Sequence, residues 1–154
     1  MPKAQEFEQL LKTLGFELQV LELSKTTRTA VDAALAVNCQ LGQIAKSIVF
    51  KTTTTQKPIL VIASGSNRIN EEKIAQIIGE SVEKANANFV LEKTGFAIGG
   101  VAPVGHPEKI ETLIDEDLFC YQEIWAAAGN PNSVFKLSPQ QLLKITGGRI
   151  IKVK

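Results

Sequence analysis

Two apolar runs lie close together near the middle of the chain, "KSIVFKT" from Lys46 and "PILVIAS" from Pro58, joined by "TTTQK". Each is rich in β-branched residues and has strand length. A short polar connection between two such runs reads as a hairpin. That pairing constrains everything else, because the remaining elements must then be arranged around a sheet.

One residue sits oddly in this pattern. Lys46 heads the first run, within "GQIAKSIVFKT" from Gly42 to Thr52. In strand geometry Lys46, Ile48 and Phe50 share one face, while Ser47, Val49 and Lys51 share the other. An ammonium group is thus in line with residues that the strand would bury. Taken alone, Lys46 is either an edge lysine that snorkels to water or a cation held for a purpose, and the pattern leaves both open.

The flanking segments supply helices and further strands. Pro2 can open a helix through Phe7, Leu10, Leu11 and Leu14 that Gly15 stops, and "FELQV" from Phe16 to Val20 alternates like a strand. Thr29 with Asp32 forms a cap signal for a helix ending near Asn38, and Asn70 caps another through Ile74, Ile77 and Ile78 to Gly79. A short helix is expected through Phe89 and Leu91 to Gly95. Strands are expected at "KIETLI", "EIWAAA" and "SVFKL". "SPQQ" then starts a last helix, with Ser138 as cap, Pro139 at the first position and Gln141 reaching back. That helix ends at Gly147–Gly148, and "RIIKV" closes the chain as a strand. "TTTT" from Thr52 to Thr55 reads as a solvated loop, as do the acids Asp115, Glu116 and Asp117. The expectation is a mixed α/β fold, one domain with a mixed sheet and helices packed around it.

Composition narrows the function classes. At 154 residues the chain is large enough for a core without metals or disulfides, and 44% hydrophobic with 21% charged residues is ordinary for a globular protein. No apolar run is long enough to span a bilayer, and "MPKAQEFEQLLK" reads as an amphipathic helix rather than a signal peptide. Two cysteines without paired spacing suggest a reducing, cytoplasmic setting and no zinc framework. A net charge of +1 argues against a sequence-independent DNA coat, so any nucleic-acid contact must be local.

The candidate chemistry is sparse. His106 is the single histidine, a general base or a structural loop residue beside Pro107. Cys39 and Cys120 read as small hydrophobes rather than nucleophiles, and no triad spacing is visible. "GSNRIN" and "ITGGRI" match no phosphate-binding loop. Nothing calls for a metal or a cofactor. "GGVAPVG" from Gly99 to Gly105 is either a turn or a loop whose backbone N–H groups face a ligand.

Taken together, "GQIAKSIVF", then "TGFAIGGVAPVG", then "AAAGNPNSVFKLSPQQL" form a recognisable order. From about Thr27 to Gly147 the chain resembles the YbaK/EbsC-type proteins and the related editing domain inserted in bacterial prolyl-tRNA synthetases. The resemblance implies that family's single-domain fold over residues 1–154, a curved mixed sheet with packed helices. It also implies a trans-acting aminoacyl-tRNA deacylase, which hydrolyses the ester joining a wrong amino acid to the tRNA 3′ end. By the same likeness Lys46 and Gly100 are the catalytic positions, Lys46 holding the substrate carbonyl or terminal phosphate. Ser47, Gly99, Pro103, Gly129 and Ser133 are the substrate-binding ones, and a synthetase is a possible partner. Two departures stand out. Leu21 lies where relatives that clear cysteine carry tyrosine, and Ser133 and Val134 lie where other branches carry His or Asp. The wrong amino acid is therefore left open among Ala, Cys, Ser and Thr.

The residues suit that chemistry. An aminoacyl ester is already activated, so its hydrolysis needs positioning and oxyanion donors more than a strong nucleophile. A synthetase pocket discriminates by only about 1–3 kcal/mol per methylene, so small amino acids slip through and must be removed afterwards. Lys25, Arg28, Lys46, Arg68 and Lys73 are the candidate cations for a local grip on the tRNA end. The alternative is a non-catalytic module that recognises aminoacylated ends or docks on a synthetase, and a thiol enzyme using Cys39 or Cys120 is a third reading.

Overall fold

Caps and apolar periods define most of the elements. A computed structural model describes residues 4–24 and 29–154. The helices are α1 (Ala4–Thr13), α2 (Ala30–Val37), α3 (Glu71–Ile78), α4 (Ala87–Thr94) and α5 (Pro139–Thr146). The strands are β1 (Val20–Glu22), β2 (Ile44–Thr52), β3 (Pro58–Ser64), β4 (Val82–Lys84), β5 (Glu111–Asp115), β6 (Ile124–Ala127), β7 (Ser133–Leu137) and β8 (Arg149–Ile151). Each cap expected from sequence is made. Thr29 accepts from the Asp32 amide, Asn70 from the amides of Glu72 and Lys73, and Ser138 forms a reciprocal capping box with Gln141. Pro2, Lys25 and Arg28 lie outside the described residues.

Among the described residues the strands form one eight-stranded sheet in the order β1-β7-β6-β2-β3-β5-β8, with β4 also paired to β2. The expected hairpin is its centre. β2 and β3 run antiparallel over seven pairs, from Ala45↔Ser64 to Lys51↔Pro58. β6 joins β2 in parallel and β5 joins β3 in parallel, so the sheet is mixed.

Both faces of the central strands are covered, which explains their nearly continuous apolar character. On one face Ala45, Val49, Leu60 and Ile62 pack with Phe7 and Leu11 of α1, Val90 of α4, Leu142 of α5, and Phe135 of β7. The other face carries Phe50, Ile59, Val61, Ala63 and Leu113 against Ile74 of α3. Phe7 and Phe135 meet with ring centroids 5.3 Å apart. A third, smaller cluster joins Ala33 and Ala34 of α2 to Ile44, with Trp125 packed alongside.

The sequence reading does not anticipate strand β4, and three expected details also differ. In "FELQV" only Val20 enters a ladder, where it pairs with Phe135. Phe16 and Leu18 are half-buried and alternate with exposed Glu17 and Gln19, so the burial rhythm is present while the ladder partner is not. Thr52 is not loop but the buried end of β2, its hydroxyl accepting from the Lys57 amide at 2.8 Å. Asp115 is 1% exposed, not a solvated acid.

Candidate active site

Strand β2 places Lys46 opposite Ala63, in line with Ile48 and the fully buried Phe50. The side chain is half-buried, and its ammonium donates to the backbone carbonyl of Asn67 at 2.7 Å. Burial pulls its pKa below the ordinary lysine value, the charge on Lys84 adds to this, and the charge on Asp115 opposes it. A cationic group kept in partial burial against its desolvation penalty is a mark of functional positions.

Lys46 opens onto a cleft of about 280 Å³. Its walls are small and mostly apolar: Ala45, Ile48, Val101, Ala126, Ala127 and Val134, with Ala33 and Val37 of α2 and the side of Trp125. The volume lies just below the usual ligand-pocket range of about 300–1,000 Å³, so the cleft is small.

The sheet itself is open here. The β2–β6 ladder ends at Ala45 and the β2–β4 ladder begins at Phe50. On this edge the Val49 carbonyl accepts from the Ala85 amide at 3.1 Å, whereas Thr52 donates to Lys57 across the hairpin. Backbone groups alternate between the two sides of a strand, so the N–H and C=O of Ser47 turn to the open edge with those of Val49. The Ser47 hydroxyl is buried with no hydrogen-bond partner among the described residues. Ser47 therefore brings a backbone donor, a backbone acceptor and an unpaired hydroxyl to the lining of the cleft.

The glycine loop forms the facing wall. Gly99, at φ 91°, lines the cleft beside Ile98 and Val101, and its positive φ favours glycine. Gly100 is buried just behind, with its amide donating to the Ala97 carbonyl at 2.9 Å. A Cβ there would lie 2.7 Å from the Asn130 backbone, so Gly100 lets this loop abut the β6–β7 turn. That turn contains Gly129 at φ 100° and closes with the Ser133 amide donating to Asn130 at 3.3 Å.

The sequence-derived site residues thus fall into three places. Lys46, Ser47 and Gly99 line one cleft. Gly100, Gly129 and Ser133 lie behind it where two loops meet. Pro103 is buried and faces a separate hollow shared with His106, Lys109 and Lys144. Lys73 donates to the Lys154 carbonyl, and Arg68 is exposed on the loop before α3. Leu21 pairs with Val134 on β1.

His106 and the cysteines stand away from this chemistry. His106 Nε2 lies 2.9 Å from the Ala102 carbonyl, which can only accept, so this nitrogen carries the proton. Burial pushes its pKa down, against the effect of that hydrogen bond, and the ring meets Phe96 edge-on at 6.0 Å. Burial likewise raises the Cys39 thiol, which donates to the Gln40 carbonyl, and Cys120 is exposed. Among the described residues no His, Cys, Asp or Glu cluster could hold a metal, and no helix is long and apolar enough to cross a membrane.

Sequence reasoning missed Trp125, Lys84, Asn67 and Asp115. Trp125 carries a signal as the single tryptophan in a strand run. The other three carry none, since they become neighbours of Lys46 only through the fold.

Residues 24–145 match the model of the aminoacyl-tRNA editing domain. The chain is 33% identical over 134 residues to "Uncharacterized protein YwhH" of Bacillus subtilis (strain 168), covering 87% of this chain and 85% of that one. It is 25% identical over 126 residues to "Putative Cys-tRNA(Pro)/Cys-tRNA(Cys) deacylase EbsC" of Enterococcus faecalis (strain ATCC 700802 / V583), covering 81% and 76% respectively. A solved structure described as "a putative trans-editing enzyme for prolyl tRNA synthetase" superposes with a TM-score of 0.93 at 42% identity, over 100% of this chain and 98% of that one. A cleft that pairs a strand-held lysine with a glycine loop is thus carried on a mixed sheet shared along its whole length with that structure, and the chain belongs to the aminoacyl-tRNA editing domain family.

Proposed function

We propose that this protein is a trans-editing deacylase that hydrolyses the ester of tRNA carrying a small wrong amino acid, Ala, Cys, Ser or Thr. The observation that carries the reading is the Lys46 ammonium on the wall of a small, largely apolar cleft, facing a loop with Gly99 at positive φ. The amino-acid side chain would enter among Ala126, Ala127 and Val134. The ester carbonyl would face Lys46, whose charge stabilises the oxyanion that forms when water adds. Collapse of that intermediate breaks the bond to the ribose 3′ oxygen, which leaves with a proton, while the amino acid departs as its carboxylate.

No side chain among the described residues of the cleft is an evident base. The family resemblance implies that the 2′-hydroxyl of the terminal ribose, or a water it orders, does the base's work, so the protein's part on this reading is positioning and charge. Gly100 acts by permitting the close approach of its loop to Asn130, and Ser47 offers its free hydroxyl and backbone groups to the aminoacyl head. Gly129, Ser133 and Pro103 serve by holding the two loops. Only the 3′ end need be gripped, which is compatible with a net charge of +1. The cytoplasm, where aminoacyl-tRNA is made, is the place of action, and a prolyl-tRNA synthetase is the natural partner on this reading.

The test is a panel of alanyl-, cysteinyl-, seryl- and threonyl-tRNA incubated with wild-type protein and with Lys46→Ala. Multiple turnover on at least one substrate is expected, falling by about 100-fold or more in the variant with its fold intact. Tight binding of charged tRNA without ester loss would instead make the protein a recognition module.

A further inference from the structure

Lys46 does not find its place from β2 alone. A lysine has four rotatable bonds, and a catalytic cation must be held to a fraction of an ångström. Among the described residues its hydrogen-bond partner is the Asn67 carbonyl, on the loop between β3 and α3. What fixes that loop is a carboxylate from another strand.

Asp115 ends β5, next to β3 in a parallel ladder that pairs Ile62 with Ile114. At 1% exposure it is a buried acid, and its hydrogen bonds among the described residues are directed at this corner. Its Oδ2 accepts from the Ser64 amide at 2.9 Å and from Asn67 Nδ2 at 2.8 Å. Its Oδ1 accepts from the Asp117 amide at 2.9 Å. Asn67 Nδ2 also donates to Asp117 Oδ2 at 2.7 Å, so both of its protons are engaged. The Asn67 amide closes the turn onto the Ser64 carbonyl at 2.9 Å.

We infer that Asp115 is a positioning residue for the reaction: its buried carboxylate clamps Asn67, and the clamped Asn67 carbonyl holds the Lys46 ammonium at the cleft. The reaction meant is the deacylation proposed above, on which the inference rests. Burying a carboxylate is expensive and a turn can be closed without one, so the charge calls for a second use. The second use is Lys46. No direct ion pair joins the two among the described residues, yet Asp115 favours the charged lysine, against burial and the like charge of Lys84 on β4. Asp117 also pairs with Lys154 at 3.3 Å and feels the charge of Lys152, so these groups border the clamp as well.

The experiment uses the full chain as wild type, Asp115→Asn and Asn67→Ala, with folding checked by thermal unfolding. Lys46 reactivity is read by competitive acetylation with acetic anhydride between pH 7 and 10, located by mass spectrometry and referenced to Lys144 in the same molecule. Deacylation kcat and KM are measured on whichever panel substrate the wild type hydrolyses. Asp115→Asn removes the charge that opposes burial at Lys46, so the neutral amine becomes more abundant. Asn67→Ala loosens the loop and exposes the amine to reagent, so Lys46 acetylates severalfold faster in both variants. The kcat falls by about 10- to 100-fold while KM changes little, as expected for a misplaced catalytic group. Should Asp115→Asn fail to fold, Asn67→Ala decides, since it keeps the carboxylate's bonds to the Ser64 and Asp117 amides. Wild-type Lys46 reactivity and wild-type kcat in folded Asn67→Ala would overturn the inference. If the wild type hydrolyses nothing on the panel, the deacylase reading fails separately, and the acetylation profile alone decides whether Asp115 and Asn67 hold Lys46.

Discussion

At the scale of single residues, the site rests on atoms that leave no room for change. Gly100 is the sharpest case, because a methyl group there meets the Asn130 backbone at 2.7 Å and no flexible side chain can yield. Gly100→Ala should destabilise the protein by about 1–3 kcal/mol and open the junction between the two loops, as measured by urea unfolding together with kcat. An unchanged midpoint would mean that the loops adapt freely. Lys46 and the glycine loop each interrupt a pattern, a cation in an apolar strand and paired glycines before a proline. Read alone both stayed open, and only their order along the chain and the family resemblance singled them out. Asp115 and Asn67 were not legible. Asp115 stood in a run of acids that resembled a wet turn, and its bond to Asn67 spans 48 residues. Only β3–β5 pairing brings them together.

At the scale of elements, the strongest local signals were the caps, and each described one forms as read. Ser138 is representative: its hydroxyl accepts from the Gln141 amide at 3.1 Å, and Gln141 returns a bond to the Ser138 amide at 2.8 Å. Ser138→Ala should lower stability by about 1 kcal/mol, read from chemical denaturation, with deacylation little affected because α5 packs on the sheet away from the cleft. Short strands were harder to see. β4 has three residues, none of them fully buried, so neither alternation nor an apolar run marks it. "FELQV" shows the opposite error, alternation without a ladder, because burial rhythm reports which side faces the core and not whether a neighbour pairs. The interruption in β2's outer edge belongs to the same class. Each strand was readable, but the gap between the β6 and β4 ladders is a property of three strands together.

At the scale of the whole molecule, stability and activity should respond to pH through different groups. His106 is the single histidine, and burial lowers its pKa from 6.5. Above that value both folded and unfolded chains hold it neutral, so it adds no pH dependence. As the pH falls below 6.5 the unfolded chain takes up the proton first, and stability declines until the lower folded pKa is passed. The loss should not exceed about 1.4 kcal/mol per pH unit, and it should vanish in His106→Gln when melting temperatures are compared across this range. A His106→Gln protein with the wild-type slope would assign the effect elsewhere. The central claim is that the cleft beside Lys46 hydrolyses aminoacyl esters, and the deacylation panel tests it most directly. Wild-type protein should release amino acid from at least one of alanyl-, cysteinyl-, seryl- or threonyl-tRNA with multiple turnovers, and folded Lys46→Ala should not. Intact ester on every substrate, or equal turnover without the lysine, would contradict it.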